Sequence, residues 1–302
     1  MVTYSKEAVA QIGADIAFGR SNKCKCEYNK DKNIKDRTFR AFYGRSADDV
    51  QEIWEAFYPH IVKPELKHLF WTLMYLKLYL PIDVMVVMLH TCNTTFDRQV
   101  WKWVYGIASR RFDFIKWEKR NRNLPNHRIW CRVTIDGTDF RIGEPVPFNK
   151  KWKSPKAKGA SVKYEVAVSI YSGDIVWIYG PHVGSKHDLT IFREELRQLL
   201  DKDEMVETDA GYRGEAEFIR NKHDFENDQE DKEKSELRAR QETVNRRFKQ
   251  WGILQERFRN DKKKHQMAFY AIATLTQMDI DKGNVLFSVG VTALQRKRNY
   301  KF

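Results

Sequence analysis

The chain lacks the features that would place it in a membrane or outside the cell. No stretch of its 302 residues approaches the ~20 uninterrupted apolar residues that a spanning helix needs, and its opening segment lacks the basic-then-apolar layout of a signal peptide. Its four cysteines are too few and too irregularly spaced to form a disulfide framework. We therefore expect a soluble, intracellular protein with reduced thiols and no membrane partner.

Negative charge is also in short supply. The chain has 54 Lys and Arg residues against 41 Asp and Glu residues, which gives a formal net charge of +13. Such an excess favours a polyanionic partner, with DNA or RNA ahead of an anionic membrane surface. The length allows a catalytic domain and a smaller helical domain, each with its own core.

The spacing of apolar residues divides the chain into three parts. Residues 1–37 combine a weakly helical start with a polar run rich in Lys and Asn, which predicts a flexible N-terminal arm. Residues 38–129 have a helical period and predict an all-α domain. Two short helices on either side of the polar turn at residues 90–94 suit a helix-turn-helix that binds DNA, or an ordinary helical hairpin.

Residues 130–302 have a different pattern. Alternating β-branched residues predict strands from Cys131 onwards, and strands and helices then follow in the order of an α/β domain. A helix is predicted from about Leu237 to Trp251, and a last one from His265 to Met278.

Three carboxylates stand out in this second domain. Asp136 follows Val133-Thr-Ile and is expected to end the first strand, Asp209 ends another strand, and Glu242 lies on the basic helix. Taken singly, they could be part of a hairpin turn, a turn cap and a solvated helix carboxylate. Together they suit two Mg²⁺ or Mn²⁺ ions, because hard cations prefer carboxylate oxygens and two ions serve phosphodiester cleavage.

The motifs around these residues carry a resemblance. In order they are Val-Thr-Ile-Asp136-Gly-Thr-Asp, Gly180-Pro-His-Val-Gly-Ser-Lys-His-Asp-Leu, Thr-Asp209-Ala-Gly-Tyr-Arg-Gly and Arg238-x-x-x-Glu242-x-x-x-x-x-x-Lys249. Their order and spacing, over roughly residues 130–280, resemble the DDE endonuclease domain of PIF/Harbinger-type transposases. Ser235 stands where related insertion-sequence transposases have Tyr, so no role for that Tyr carries over.

This resemblance implies both a fold and an activity. The fold is an α/β RNase H-like catalytic domain with a separate all-α N-terminal domain that contains a helix-turn-helix. The activity is cut-and-paste transposition, with Asp136, Asp209 and Glu242 as metal ligands. The implied partners are double-stranded DNA of the transposon ends and of the target, a second copy of the chain, and a separate DNA-binding protein. A nuclear location is implied if the host is eukaryotic, with a basic tail at Arg296-Lys-Arg298.

Basic residues are predicted to contact the phosphates of this DNA. Arg238 lies one helical turn before Glu242, and Lys249 two turns after it, so the three share a face. A loop without acidic residues adds further predicted phosphate contacts at Lys150, Lys151, Lys153, Lys156 and Lys158.

Two residues, and the function of the protein as a whole, each have more than one interpretation. His187 and Asp188 could add an oxygen to the metal centre or position the attacking water, although Asp188 is more simply interpreted as the cap of the helix that follows it. The alternatives to an active transposase are a domesticated derivative that binds DNA without cleaving it, and a helix-turn-helix regulator whose C-terminal half serves for dimerisation.

Overall fold

The structure is a computed structural model that describes residues 3–18, 32–125, 130–220 and 228–290. Its contacts divide the chain into two compact units. The first comprises Met1–Arg111, Lys249–Glu256 and Lys263–Leu275, and the second comprises Phe112–Phe248, Arg257–Lys262 and Thr276–Phe302. This division differs from the predicted boundaries, since the segment after residue 111 groups with the sheet and two C-terminal segments group with the helices.

Helices form the first unit in the part of the chain that the structure describes. They are α1 (Lys6–Phe18), α2 (Lys32–Tyr43), α3 (Ala47–Phe57), α4 (Leu66–Leu78), α5 (Ile82–Met88), α6 (Asn93–Ser109) and α11 (Gly252–Gln255). Helix α7 (Arg111–Phe114) has only its first residue in this unit. Helix α4 is buried continuously from His68 to Leu76, as suits a helix that is apolar on all sides. No helix in the described ranges is long and apolar enough to cross a membrane.

The predicted N-terminal arm differs from the structure where the structure describes it. Residues 6–18 form α1, whose Val9 is fully buried. Tyr43 Oη donates a 2.7 Å hydrogen bond to the carbonyl of Gly13 and ties this helix to α2. Residues 32–37 of the arm begin α2, and residues 19–31 lie outside the described residues. The local sequence predicted only a weakly helical start here, and tertiary packing stabilises it as a helix.

The helix pair that suggested a helix-turn-helix is present as α5 and α6. The two helices are joined by residues 89–92, and the buried face of α6 includes Phe96, Val100 and Trp103. A helix-turn-helix and an ordinary helical hairpin both require such a pair. DNA reading by this unit therefore stays a prediction.

The second unit is a mixed α/β structure built around a central sheet. Its strands are β1 (Cys131–Arg141), β2 (Lys153–Ser154), β3 (Gly159–Ser169), β4 (Ile175–Val183), β5 (Met205–Glu207) and β6 (Ile219–Arg220). The strand order is β2-β3-β1-β5-β6, and β4 also pairs with β3. Pairs β1–β3 and β3–β4 are antiparallel, whereas β1–β5 and β5–β6 are parallel. This sheet is compatible with the predicted RNase H-like fold.

Helices pack against this sheet. They are α8 (Asp188–Glu194), α9 (Leu196–Leu199) and α10 (Asp228–Lys249), whereas α12 (Lys262–Asp281) is divided between the two units. Phe192 of α8 and Leu196 of α9 form one apolar cluster with Val133 and Ile135 of β1. Leu237 of α10 packs in a second cluster with Cys131, at the start of β1, and Ile170.

Strand β1 is longer than predicted. Asp136 was expected to end it at an Asp-Gly turn, but β1 continues to Arg141 and Asp136 lies at its centre, opposite Val166 of β3. The β-branched and aromatic residues on both sides of Asp136 sustain the ladder, which overrides the turn preference of the Asp-Gly pair. On the other side of β1, Thr134 pairs with Glu207 of β5, so Asp136 and Asp209 come to the same level of the sheet.

Candidate active site

Asp136 is held by residues from two other elements. Asn245 of α10 donates a 2.8 Å hydrogen bond from Nδ2 to Asp136 Oδ2. Lys156, in the loop between β2 and β3, places its Nζ 3.8 Å from Asp136 Oδ1 and 3.4 Å from the carbonyl oxygen of Gly137. About a quarter of the Asp136 side chain remains exposed, at 23%. The carboxylate is therefore oriented from the helix side and still reachable from solvent.

Asp209 follows β5 and begins a short 3₁₀ turn, Ala210–Tyr212. Its Oδ1 accepts a 2.8 Å hydrogen bond from the backbone N–H of Gly211. The turn-capping interpretation of Asp209 is thus correct for one oxygen, and it does not exclude a second role, because the residue is only half-buried. Capping fixes the carboxylate at the end of the strand.

Glu242 and Arg238 are exposed residues of α10 that line the same cleft as Asp136 and Asp209. The cleft has a volume of about 280 Å³, and Lys156 also lines it. Lys249 is the last residue of α10 and is exposed, but it is not among the described residues that line this cleft. The structure therefore brings together the three predicted carboxylates and two of the predicted cations.

Helix α10 is fixed to the sheet by polar side chains that the sequence did not single out. Gln241 Oε1 accepts a 2.8 Å hydrogen bond from Thr134 Oγ1, and Gln241 Nε2 donates at 3.1 Å to the carbonyl of Val166. Gln241 and Asn245 are one helical turn apart on a buried face. Their i, i+4 spacing beside Glu242 is the signal that could have identified them.

Glu207 is a further carboxylate in the cleft that the sequence reasoning missed. It lies two residues before Asp209 and is almost fully buried. Its Oε1 is 2.5 Å from Nζ of the equally buried Lys234 on α10. Because this ion pair neutralises Glu207, the residue connects β5 with α10 and is less suited to binding an ion.

The charges in the cleft perturb one another. Burial raises the pKa of Asp136 to about 6; the ammonium of Lys156 opposes this, and the neighbouring carboxylates of Asp209 and Asp188 add to it. Burial alone would lower the pKa of Lys156, but the surrounding carboxylates, with Asp136 the strongest, raise it instead. The cleft therefore brings several carboxylates close together, and the ammonium of Lys156 lies among them.

Asp188 does not cap its helix, which corrects the favoured interpretation of this residue. Helix α8 begins at Asp188 itself, its N-cap residue is His187, and no side chain caps it. Asp188 Oδ1 instead accepts a 2.7 Å hydrogen bond from Nζ of the buried Lys163 on β3. A buried ammonium binds this carboxylate more strongly than backbone N–H groups at a helix start would.

The carboxylate of Asp188 lies against the segments that carry the two catalytic candidates. A Cβ atom added to Gly137, next to Asp136, would lie 2.5 Å from Asp188 Oδ1. A Cβ atom added to Gly211, in the turn begun by Asp209, would lie 3.1 Å from Asp188 Oδ2. A side chain at position 137 would therefore displace Asp188, and one at position 211 would crowd it. His187 is exposed at the start of α8.

The donor atoms in the cleft suit a hard divalent cation. Carboxylate oxygens are the ligands that Mg²⁺ and Mn²⁺ prefer. Asn245 Oδ1 is buried beside Asp136 without a hydrogen-bond partner among the described residues, as a polar atom awaiting a water or an ion would be. In the described part of the chain, no three His, Cys, Asp or Glu side chains are grouped tightly enough to hold an ion. The residues fit in chemistry, and binding would have to draw them together.

Comparison with known proteins agrees with this chemistry. Residues 135–277 match the family model of the DDE superfamily endonuclease. This region is similar to DDE endonucleases. The match contains Asp136, Asp209 and Glu242, and it supports the DDE superfamily and a transposase-like nuclease function. DDE endonucleases act on DNA and generally use divalent metal ions. No curated protein and no solved structure matches the chain.

Proposed function

We propose that this chain is a DDE transposase of the PIF/Harbinger type, which cleaves DNA at transposon ends and joins the freed ends to target DNA. One observation carries the proposal: Asp136, Asp209 and Glu242 line a single cleft within the region that matches DDE endonucleases. The subfamily rests on the order of the four sequence motifs. The three carboxylates come from a central strand, a strand end and a helix, so the fold itself sets their arrangement.

In this proposal Asp136, Asp209 and Glu242 hold two Mg²⁺ or Mn²⁺ ions. When bound, the ions neutralise charge on the attacking and leaving oxygens and make a nucleophile available from water or a 3′ hydroxyl. Asn245 holds Asp136 in place by its hydrogen bond. Lys156 is a cation at the cleft that can receive the scissile phosphate.

The remaining predicted cations bind DNA phosphates in this proposal. Arg238 acts at the cleft itself. Lys249 contacts the phosphate backbone of the DNA. The exposed lysines of the loop do the same, and they are Lys150, Lys151, Lys153 and Lys158. Such contacts supply affinity and orientation without base preference.

We assign Asp188 a positioning role. Its carboxylate is already paired with Lys163, and it separates the glycines that adjoin Asp136 and Asp209. Because the buried ammonium of Lys163 neutralises one oxygen of Asp188, this carboxylate is a weak metal ligand. Its proposed role is to set the distance between Asp136 and Asp209. His187, exposed beside it, is the candidate for positioning the attacking water.

The rest of the proposal concerns partners and location. Residues 38–129 bind DNA through the α5–α6 pair, residues 130–302 are the catalytic domain, and the protein acts as a homo-oligomer with a separate DNA-binding protein. In a eukaryotic host it acts in the nucleus. The basic tail that suggests this, Arg296-Lys-Arg298, lies outside the described residues.

The test is nicking and joining of DNA that carries the element's terminal repeats, with Mg²⁺ or Mn²⁺. We expect product with the unmodified chain and none above background with Asp136→Ala, Asp209→Ala or Glu242→Ala. Asp203→Ala is the matched control, because Asp203 is an exposed carboxylate before β5 that does not line the cleft. Unchanged activity in any of the three variants would refute the assignment.

The same assay separates the alternatives. A chain that binds DNA and Mn²⁺ but yields no product is a domesticated derivative. A chain that binds DNA without binding Mn²⁺ fits a regulator whose second unit serves for dimerisation. In both cases catalysis by this cleft is refuted.

A further inference from the structure

The segment that connects β1 with β3 exposes an apolar tip. We name residues 143–158 the lysine loop. At its tip Val146 is 97% exposed and Phe148 is 59% exposed, with the exposed Pro147 between them. Single apolar residues on a surface are ordinary, but three consecutive ones at the end of a loop form a small apolar point that needs an explanation.

The base of the lysine loop is firmly anchored. Ile142, just before it, is buried and bridges to Phe258. On the returning side, Asn149 Oδ1 accepts a 3.0 Å hydrogen bond from the N–H of Lys151, whose carbonyl accepts one of 3.1 Å from the N–H of Ser185. The tip therefore projects from a defined base.

Prolines restrict the tip itself. Pro145 and Pro147 stand on either side of Val146, and each pyrrolidine ring fixes its own φ. Fewer backbone conformations are lost when such a segment is immobilised by a partner. Binding of the apolar tip to a partner therefore costs less conformational entropy.

The charge of the lysine loop identifies the class of partner. No acidic residue occurs from Pro145 to Lys158, and the loop has exposed lysines at Lys150, Lys151, Lys153, Lys156 and Lys158. A surface of this charge attracts a polyanion. Lys156 also places the end of the loop at the cleft, with its Nζ 3.8 Å from Asp136 Oδ1. Under the proposed function, this polyanion is the DNA substrate of the cleft.

We propose that the Val146-Pro147-Phe148 tip inserts between stacked bases of the DNA next to the cleavage site, while the lysines bind the phosphates on either side. Apolar side chains flanked by cations are the means by which proteins wedge open a base step and bend a duplex. The proposal rests on the proposed function for its DNA substrate. It adds a distortion of the DNA that the carboxylates do not require.

The test compares two duplexes that differ in the cost of unstacking. Binding of the full chain is measured with EDTA present, once to a fully paired duplex and once to the same duplex with a single mispair. Because a mispaired base unstacks more easily, a wedge binds the mispaired duplex more tightly. We expect Phe148→Ala to weaken binding to the mispaired duplex by about tenfold, as loss of one base–aromatic stack does, and to remove most of the preference.

Two control variants isolate the wedge. Lys150→Ala removes a neighbouring phosphate contact and should weaken binding to both duplexes equally, leaving the preference unchanged. Val285→Ala removes an apolar side chain that is also largely exposed and to which no DNA contact is assigned, and should change neither affinity. Thermal unfolding of each variant confirms that these exposed substitutions leave the fold intact.

The outcomes are distinct. If the chain binds no DNA, the proposed function fails with the wedge. If it binds both duplexes equally, or if Phe148→Ala retains the preference, the wedge is refuted while the proposed function stands. Self-association that Phe148→Ala abolishes, without any change in DNA affinity, would show that the tip contacts a second copy of the chain, and it too would refute the wedge.

Discussion

Asn245 offers the sharpest test of how the cleft is built. Its Nδ2 donates a 2.8 Å hydrogen bond to Asp136 Oδ2, and the residue is only 3% exposed. Asn245→Ala removes this bond and leaves Asp136 with Lys156 as its nearest cation. The hydrogen bond lowers the pKa of Asp136, which burial raises to about 6, so the variant should raise that pKa further.

The size of the effect follows from the geometry. A hydrogen bond to a charged group contributes about 1.5–3 kcal/mol to stability. Two features of the site reduce that figure, because water reaches the partly exposed carboxylate of Asp136 and the variant also removes the unpaired Oδ1 of Asn245. We expect the free energy of unfolding to fall by about 1–2 kcal/mol.

Metal binding supplies a second measurement. Loss of a residue that orients a ligand typically lowers metal affinity by about 10–100-fold, so Mn²⁺ titration of Asn245→Ala should show a loss in that range. Asn245→Asp should be less stable than Asn245→Ala without metal, because two carboxylates would then stand within hydrogen-bonding distance. Mg²⁺ should raise its melting temperature more than that of the unmodified chain.

Thr243→Ala is the control on the same helix. Its Oγ1 bonds only within α10, to the carbonyl of Ala239, and we expect a small loss of stability with unchanged Mn²⁺ affinity. Urea unfolding and Mn²⁺ titration decide the matter together. If Asn245→Ala has the same free energy of unfolding and the same Mn²⁺ affinity as the unmodified chain, the hydrogen bond to Asp136 does not shape the site.

Three further predictions use other parts of the second unit. Gly137→Ala places a Cβ atom 2.5 Å from Asp188 Oδ1 and should lower the free energy of unfolding by about 1–3 kcal/mol, measured in urea; an unchanged midpoint would contradict the close packing. Burial raises the pKa of Glu165 to about 8, so the folded state holds a proton that the unfolded state releases between about pH 4.5 and 8. The free energy of unfolding should therefore fall as the pH rises through that window, by up to about 1.4 kcal/mol per pH unit. Glu165→Gln should flatten this pH dependence, and an equally steep profile would contradict the raised pKa. Lys156→Ala should raise Mn²⁺ affinity by about fivefold without DNA, since a cation that competes for the carboxylates is removed, whereas Lys158→Ala should not; equal affinities would deny Lys156 that position.

The sequence was most informative about residues whose neighbours in the chain define them. Asp136, Asp209 and Glu242 could be selected because each sits in a short motif of restricted composition, and the structure places all three on one cleft. Strand and helix types in the second unit followed from hydrophobic periodicity. The flexibility predicted for the N-terminal arm was wrong at α1, because a helix of modest local stability can be held by contacts with distant residues.

Contacts between distant residues account for what the sequence did not reveal. The pairing of Asn245 with Asp136 joins residues 109 positions apart. Asp188 was interpreted as a cap because local spacing favours that role, but its actual partner is Lys163 on strand β3. An ammonium brought close by the sheet outweighs weaker backbone donors nearby in sequence.

The sequence by itself determined the chemical type of the site: hard oxygen ligands, a basic surface for a polyanion, and an α/β unit to present them. Only the tertiary structure decided which residues serve the carboxylates. It centred Asp136 in a continuous strand, assigned Asn245 to hold it, placed Lys156 among the acids and excluded Lys249 from the described lining of the cleft. The physical reason is that residue type is local, whereas hydrogen-bond partners, burial and the fields of neighbouring charges depend on which distant segments the fold packs together.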